Sequence, residues 1–166
     1  MNRHMSKLTL ERGVAYRRRW KRDAVQMEGQ QWTFDGKPLA LTLQEARSSL
    51  PKEGRQITAD LYYSVLQARK DFYGEAGRDA LRFLLGEEVW KDLPGRVPLL
   101  IGQCLHVECG VITGIIERQE DVVTWGHFKA HLPGPEGSGY LFPSALTYTF
   151  DREQHDSVLR EAQARI

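Results

Sequence analysis

The Asp35-Gly36 dipeptide is the feature that most restricts the fold of this 166-residue chain. It lies between residues 31–34 and residues 37–41, two segments that are rich in apolar and β-forming side chains. Asp and Gly tolerate the positive φ of a type I′ turn, and this turn suits the twist of paired antiparallel strands. We therefore predict a β-hairpin near the N-terminus.

The second half of the chain predicts another hairpin. Apolar and β-branched residues dominate residues 97–116, and a similar run at 122–125 follows the polar turn 117–121. A loop rich in Gly and Pro at 133–139 separates this region from a predicted strand at 140–150. The amphipathic sequence after Asp151 predicts a C-terminal helix.

The middle of the chain predicts two helices. Four apolar residues recur at the spacing of one helix face: Leu61, Val65, Ala68 and Phe72. Thr58 is the expected N-cap of this helix, and Gly74 is its expected end. A second helix is predicted over residues 79–85, where Gly86 stops it.

These elements predict an α+β fold with antiparallel hairpins at both ends of the chain, a central helical pair and a C-terminal helix. The capping-box pattern at residues 42–45 predicts a short connecting helix. We assign residues 1–7 to a flexible leader and residues 8–166 to a single domain. A domain of this size buries about 70% of the surface that the unfolded chain exposes.

The sequence lacks the features of a membrane or secreted protein. Its longest apolar stretches, residues 97–101 and 111–116, are far shorter than the roughly 20 residues of a spanning helix. The first residues lack the apolar core of a signal peptide, and the two cysteines show no disulfide framework. We expect a soluble cytoplasmic protein that does not contact a membrane.

Electric charge is distributed unevenly along the chain. The first 22 residues contain eight Lys or Arg and a single acid, Glu11. The rest of the chain contains 15 bases and 21 acids, so a net charge of +7 is followed by one of −6. Such asymmetry indicates a local electrostatic binding surface, and nucleic acid is its leading candidate ligand.

The densest part of this region interleaves aromatic and cationic residues. We call it the basic aromatic segment, and it consists of Tyr16, Arg17, Arg18, Arg19, Trp20, Lys21 and Arg22. Guanidinium groups bind phosphate oxygens through paired donors, and aromatic faces stack on unpaired bases. The combination favours single-stranded DNA or RNA over a duplex. It predicts a non-catalytic nucleic-acid-binding or nucleic-acid-associated accessory protein.

Other interpretations of this segment stay open. Residues 14–27 fit either a short helix or a strand pair, because both spacings occur among their aromatic and basic residues. If Tyr16 and Trp20 are core residues, the bases form a solvated face or pair with the acidic remainder of the chain.

Cysteines and histidines form a second constellation. Cys104, Cys109, His127 and His131 are spaced approximately as in a zinc finger, with longer gaps. On a strand, the odd separation of the two cysteines sends their sulfurs to opposite faces. Cys104, His106, His127 and His131 could converge if their two strands pair. Buried thiols and satisfied or surface histidines are the alternative, so we assign no metal ligand and no cofactor.

We find no recognisable catalytic arrangement and favour a protein that is not an enzyme. The glycines at 134, 137 and 139 lack the Lys and Ser/Thr of a phosphate loop. The main alternative is a protein-interaction module, such as an assembly component or a small inhibitor. An acidic body could bind a basic partner, and hairpin edges could pair with another chain or a second copy. A metal-binding protein or metal-dependent enzyme is the third alternative.

Overall fold

The computed structural model describes residues 4–12, 30–57, 63–66, 74–101, 110–131 and 139–165. In chain order its elements are β1 (Leu8–Arg12), β2 (Gln30–Phe34), β3 (Lys37–Pro38), α1 (Leu39–Ala46), a 3-10 turn (Arg47–Ser49), α2 (Lys52–Ile57), β4 (Tyr63–Ser64), α3 (Gly74–Leu84), β5 (Val97–Ile101), β6 (Val111–Arg118), β7 (Val122–His131), β8 (Gly139–Leu141), β9 (Tyr148–Asp151) and α4 (Arg152–Arg165). The prediction of an α+β fold with antiparallel sheets is confirmed.

The strands form two sheets. The smaller sheet has the order β1-β2-β3, and the larger has the order β4-β5-β6-β7-β8. Strand β9 also pairs with β7, along residues 122–125, whereas β8 pairs with the other end of β7, along residues 129–131. The long strand β7 therefore pairs with both β8 and β9, one at each end.

The structure confirms the hairpin at Asp35-Gly36. Asp35 has a φ of 52° and Gly36 a φ of 83°, as the type I′ turn requires. The second strand is shorter than predicted, because it ends at Pro38 and helix α1 begins at Leu39. Residues Leu39, Ala40 and Leu43 are buried on one side of this helix, so burial of the apolar run decides its conformation.

The hairpin of β6 and β7 is also confirmed, and it contains a β-bulge. Thr113 pairs with Lys129 while Ile115 pairs with Gly126, so Gly114 faces two residues, His127 and Phe128. At this bulge His127 adopts a left-handed backbone conformation, with a φ of 49°. A Cβ atom on Gly114 would lie 3.0 Å from the Leu99 side chain and 3.3 Å from the Phe128 ring, so a larger residue here would have to displace these two side chains.

Aromatic rings join the two sheets. The ring centroids of Trp32 and Trp125 lie 5.4 Å apart, and Phe34 contacts Trp125 at 5.2 Å and Phe150 at 5.0 Å. These contacts are edge-to-face, the favourable arrangement for aromatic quadrupoles. The indole nitrogen of Trp32 donates a 3.0 Å hydrogen bond to the Leu99 carbonyl, which satisfies its polar atom inside the core.

Two amphipathic helices cover this core. Helix α3 buries Ala80, Leu81 and Leu84, and helix α4 buries His155, Leu159 and Ala162. Asp151 caps α4, because its Oδ2 atom accepts a 2.9 Å hydrogen bond from the Gln154 amide. The predicted C-terminal helix is confirmed, and the helix predicted at 79–85 begins earlier, at Gly74.

The helix predicted from the spacing of Leu61, Val65, Ala68 and Phe72 is wrong at residues 63–66. Strand β4 lies there instead, with Tyr63 paired to Ile101 and Ser64 to Leu100, and a turn follows. The Val65 amide donates a 3.0 Å hydrogen bond to the Leu99 carbonyl. Pairing with a strand that is distant in sequence therefore outweighs the local helical spacing. Gly74, the expected end of the predicted helix, is instead the first residue of α3. Residues 58–62 and 67–73 lie outside the described part of the chain.

Two smaller predictions also need correction. The strand predicted at 140–150 is divided into β8 and β9 by a turn, in which the Leu146 amide donates to the Pro143 carbonyl at 3.1 Å. The helix predicted to open at residues 42–45 begins earlier, at Leu39. A proline lies at each of these points: Pro143 in the turn between β8 and β9, and Pro38 just before α1. Proline fixes φ and lacks an N–H donor, so it interrupts a strand and is tolerated at the start of a helix.

Residues at the start of the described chain contact the body of the fold. Ser6 is buried and its amide donates a 2.8 Å hydrogen bond to the Thr149 carbonyl, beside a bridge to Phe150. The Lys7 amide donates to Asp35 Oδ1 at 2.8 Å. The segment 1–7 that we predict as a flexible leader thus contains two residues with defined backbone partners. Among the described helices, none is long and apolar enough to cross a membrane.

Candidate functional site

The basic aromatic segment, Tyr16 to Arg22, lies outside the described residues. The strands on either side of it are described, and Arg12 at the end of β1 pairs with Gln30 at the start of β2. Opposed residues of antiparallel strands lie about 5 Å apart, so the connection over residues 13–29 leaves and rejoins the fold at one place. Leu10, Gln30 and Arg165 line a shallow cavity of about 220 Å³ at that place.

Of the predicted metal constellation, only His127 and His131 are described. Cys104, His106 and Cys109 lie outside the described residues. The bulge interrupts the strand alternation on which the shared face of the two histidines depends. His127 is exposed, whereas His131 is half-buried and bonded to Thr113. Within the described part of the chain, no group of three or more His, Cys, Asp or Glu could hold a metal ion.

A polar relay links three strands of the larger sheet. Arg96, just before β5, donates from Nη1 to Thr113 Oγ1 at 3.0 Å and to the His127 carbonyl at 2.9 Å. The Thr113 hydroxyl lies 2.8 Å from His131 Nε2, and it can donate to that nitrogen while it accepts from Arg96. The side chain of Thr113 is fully buried, so this relay satisfies a hydroxyl that water does not reach.

The relay favours a neutral imidazole at His131. Burial, assisted by the positive charges of Arg96 and Lys129, lowers the pKa of His131 to about 4. Burial also lowers the pKa of Arg96 from its usual value. At neutral pH the His131 ring therefore carries no charge, and its Nε2 atom serves as a hydrogen-bond acceptor.

A second polar network lies between β6, β7 and α4. Trp125 Nε1 donates to His155 Nε2 at 2.9 Å, and His155 Nδ1 lies 2.8 Å from Asp156 Oδ1. Because Nε2 accepts from Trp125, Nδ1 carries the proton and donates to Asp156. The carboxylate also receives a bidentate pair from Arg118, at 3.0 Å from Nη1 and 2.7 Å from Nη2.

The charges of this second network compensate each other. The bonds from Arg118 and His155 outweigh burial and hold the pKa of Asp156 at about 2. Burial lowers the pKa of His155 despite the neighbouring carboxylate. Arg118 Nη1 also donates to the Leu84 carbonyl at the end of α3, at 2.9 Å. The network thus connects helices α3 and α4 to the sheet, and its fully buried imidazole is inaccessible to a substrate.

Both arginines line one cavity of about 250 Å³. We call it the arginine-aromatic cavity, and its lining includes Phe83, Glu88, Trp90, Arg96, Ile116 and Arg118. The rings of Phe83 and Trp90 are stacked, with an interplanar angle of 25° and centroids 6.4 Å apart. Cationic and aromatic groups therefore meet in one concave site, which is the arrangement expected of a small-molecule pocket.

A larger and more acidic cleft of about 710 Å³ lies at the N-terminal half of α4. Its acidic residues are Glu120, Asp121, Asp151, Glu153 and Asp156, and its basic residues are Arg152 and Arg160. Asp156 is already paired with Arg118. The remaining carboxylates give this surface a charge opposite to that of the basic aromatic segment.

Sequence reasoning missed Arg96, Arg118 and the His155-Asp156 pair. Arg118 is bonded to a residue 38 positions away, and Arg96 to one 31 positions away. One local signal exists for the pair: His155 lies four residues before Leu159 and seven before Ala162, on the apolar face of α4. A histidine at such a position requires polar partners in the core.

We compared the chain with protein-family models, with curated proteins and with solved structures, and none matched.

Proposed function

We propose that this protein is a cytoplasmic, non-catalytic nucleic-acid-binding or nucleic-acid-associated accessory protein. Its contact surface is the basic aromatic segment, residues 16–22, and its ligand is single-stranded DNA or RNA. One observation carries this proposal: a net charge of +7 over the first 22 residues precedes a body with a net charge of −6. Arg and Lys would supply affinity and salt dependence, while Tyr16 and Trp20 would stack on bases.

The attachment of the segment to the fold supports this proposal. Its connection begins after Arg12 and ends before Gln30, and these two residues are paired in neighbouring strands, so both ends of the connection are anchored at the same end of the smaller sheet. The acidic cleft at α4 would repel a phosphate backbone elsewhere on the surface. Binding is therefore expected to depend on this one segment.

Fluorescence anisotropy with labelled single-stranded DNA, single-stranded RNA and duplex DNA tests the proposal. Nuclease-treated protein should bind a single strand more tightly than the duplex. A variant with Arg17→Gln, Arg18→Gln, Arg19→Gln and Arg22→Gln should lose most of this affinity. A control with Lys52→Gln, Arg55→Gln, Lys91→Gln and Arg160→Gln removes the same charge from exposed positions of the body and should retain it.

The stacking role of Trp20 has a separate test. Trp20→Ala should weaken single-strand binding by about 1–3 kcal/mol, and Trp20→Phe should retain much of it because a ring remains. Far-UV circular dichroism of both variants verifies that they are folded. Equal affinities of the wild-type, the four-arginine variant and Trp20→Ala would refute the proposal.

The acidic cleft specifically favours one second candidate, a module that binds a basic protein partner. Its open carboxylates at Glu120, Asp121 and Glu153 lie around a concave surface large enough for an extended basic segment. Edge pairing is less favoured, since β3 and β4 are two residues long and Ser6 covers part of β9. Affinity purification after nuclease treatment should recover a partner that is lost with Glu120→Gln, Asp121→Asn and Glu153→Gln together.

A further inference from the structure

Among the described residues, one positive charge of the arginine-aromatic cavity has no carboxylate partner. Arg118 is neutralised by Asp156, and Glu88, which belongs to the lining, is paired at 3.5 Å with Arg82, which does not. Arg96 differs from Arg118, because no carboxylate oxygen of a described residue lies within 4.0 Å of its guanidinium nitrogens. Its bonds to Thr113 and His127 go to neutral oxygens.

Within the described part of the chain, the guanidinium of Arg96 donates hydrogen bonds only from Nη1. Nη1 uses its two hydrogens on Thr113 and the His127 carbonyl. Neither Nε nor Nη2 donates to any residue in the described part of the chain. The Nε–H and Nη2–H bonds of an arginine are parallel and match the two oxygens of a carboxylate.

We infer that this cavity binds a small aromatic carboxylate, with the carboxylate on Arg96 and the ring against Trp90. This inference goes beyond the proposed function and concerns a different surface, so either can fail alone. The net charge contributed by Arg96, Arg118 and Asp156 is +1, which a monoanion balances. A planar guanidinium and a planar carboxylate also align with both bonds in one plane.

Cavity size restricts the ligand. The volume of the cavity is about 250 Å³. This volume suits one ring with a short acidic arm and is smaller than the 300–1,000 Å³ typical of larger ligands. Phe83 and Trp90 both line the cavity with nearly parallel rings, so together they offer an aromatic surface to a ligand ring.

Glu88 opposes an anion in this cavity and provides a directed test. Its carboxylate belongs to the lining but is engaged with Arg82 at 3.5 Å, where both side chains are about half exposed. Glu88→Gln removes a negative charge from the rim and leaves Arg82 without that partner. Both changes make the local potential more positive, so this variant should bind an anion more tightly than the wild-type does.

Ligand-observed NMR titrations with phenylacetate and neutral phenylacetamide test the inference. We expect saturable binding of phenylacetate and binding of phenylacetamide that is weaker by about tenfold or more, since a charge-assisted pair is lost. Inorganic phosphate, which lacks a ring, should compete only weakly. Arg96→Gln should reduce phenylacetate affinity by about tenfold or more, and Lys91→Gln, an exposed cation outside the cavity, should not.

The variants at Trp90 and Glu88 keep the test decisive if Arg96→Gln fails to fold. Trp90→Ala should weaken phenylacetate binding several-fold, and Glu88→Gln should strengthen it about two- to threefold. Equal binding of phenylacetate and phenylacetamide, or unchanged binding in both Trp90→Ala and Glu88→Gln, would overturn the inference. So would the absence of saturable phenylacetate binding to the wild-type protein.

Discussion

Arg96 and Arg118 line the same cavity but differ in how their charges are balanced. Arg118 holds Asp156 with two bonds of 3.0 Å and 2.7 Å, and Asp156 in turn accepts from His155. Arg96 contacts only neutral oxygens among the described residues. The charge of Arg118 is therefore balanced within the fold. The charge of Arg96 has no carboxylate partner among the described residues, and we propose an external anion for it.

The difference also predicts which arginine stabilises the fold. A paired buried charge contributes little net energy, but removal of its partner is costly because the remaining charge loses both water and counter-ion. The Arg118 network should therefore be sensitive to single substitutions. The Arg96 relay should be less sensitive, since its bonds to Thr113 and His127 involve no second charge.

The largest effect is expected for Asp156→Ala. This substitution removes the carboxylate to which Arg118 and the His155 Nδ1–H donate, and Asp156 itself is only 14% exposed. We expect the free energy of unfolding to fall by about 3 kcal/mol, as measured by urea denaturation. Glu153→Ala, an exposed acid on the same helix, should cost less than about 0.5 kcal/mol. Equal effects of the two substitutions would show that the network does not hold α4 to the sheet.

The next largest effect is a pH dependence of the free energy of unfolding, which arises from His131 in the Arg96 relay. The pKa of His131 is about 4 in the folded protein, against 6.5 for a free imidazole. Between these values the unfolded state binds more protons, so stability is fully present above about pH 6.5 and declines as the pH falls towards 4. His131→Gln keeps an acceptor for Thr113 but does not titrate.

Urea denaturation at pH 7 and pH 4 measures this contribution. The decline in the free energy of unfolding should be smaller in His131→Gln than in the wild-type by about 2 kcal/mol, which allows for partial exposure of the ring. His155 also has a lowered pKa and adds a decline that both proteins share. Identical declines in the two proteins would contradict the assignment of a neutral, buried imidazole to His131.

A smaller effect is expected for Thr113→Val, which has a similar shape but lacks the hydroxyl. Arg96 and His131 each lose a hydrogen-bond partner at a position that is 0% exposed. We expect a loss of about 1–2 kcal/mol in the free energy of unfolding, because the groups left behind are only partly buried. Thr124→Val, which removes a 3.4 Å contact with Thr149, should cost less. A larger loss for Thr124→Val than for Thr113→Val would contradict the stabilising role of the Thr113 hydroxyl in the relay.

The parts of the fold that local sequence determines were predictable. The turn residues Asp35 and Gly36 specify their own backbone conformation, and α4 carries a cap and an apolar face within one segment. The helix predicted through Val65 failed because β4 is decided by its pairing with β5, about 35 residues further along the chain. Helical spacing does not contain that information, since a strand of two residues gives almost no periodic signal.

The candidate sites divide in the same way. The basic aromatic segment is visible in the sequence because its residues are adjacent, and its role stays a prediction because it lies outside the described residues. The arginine-aromatic cavity combines residues from 83 to 118, and no spacing rule connects them. Only the fold shows that Arg118 has a carboxylate partner while Arg96 contacts neutral oxygens.

The contrast between balanced and unbalanced charge also applies to the whole molecule. The body has ion pairs such as Arg118 with Asp156 and Lys37 with Glu45, while the first 22 residues hold eight bases and one acid. By the argument made for Arg96, cations in excess of their local acids are the ones available to an external anion. For this segment the proposed anion is the phosphate backbone of a single strand.

The salt dependence of single-strand binding tests this central claim most directly. In an anisotropy titration over a salt series, removal of Arg17, Arg18, Arg19 and Arg22 should reduce the slope of log K against log salt by about 2 to 3. The control that removes four exposed charges from the body should keep the wild-type slope. Equal slopes in both variants, or no binding by the wild-type at low salt, would contradict the account.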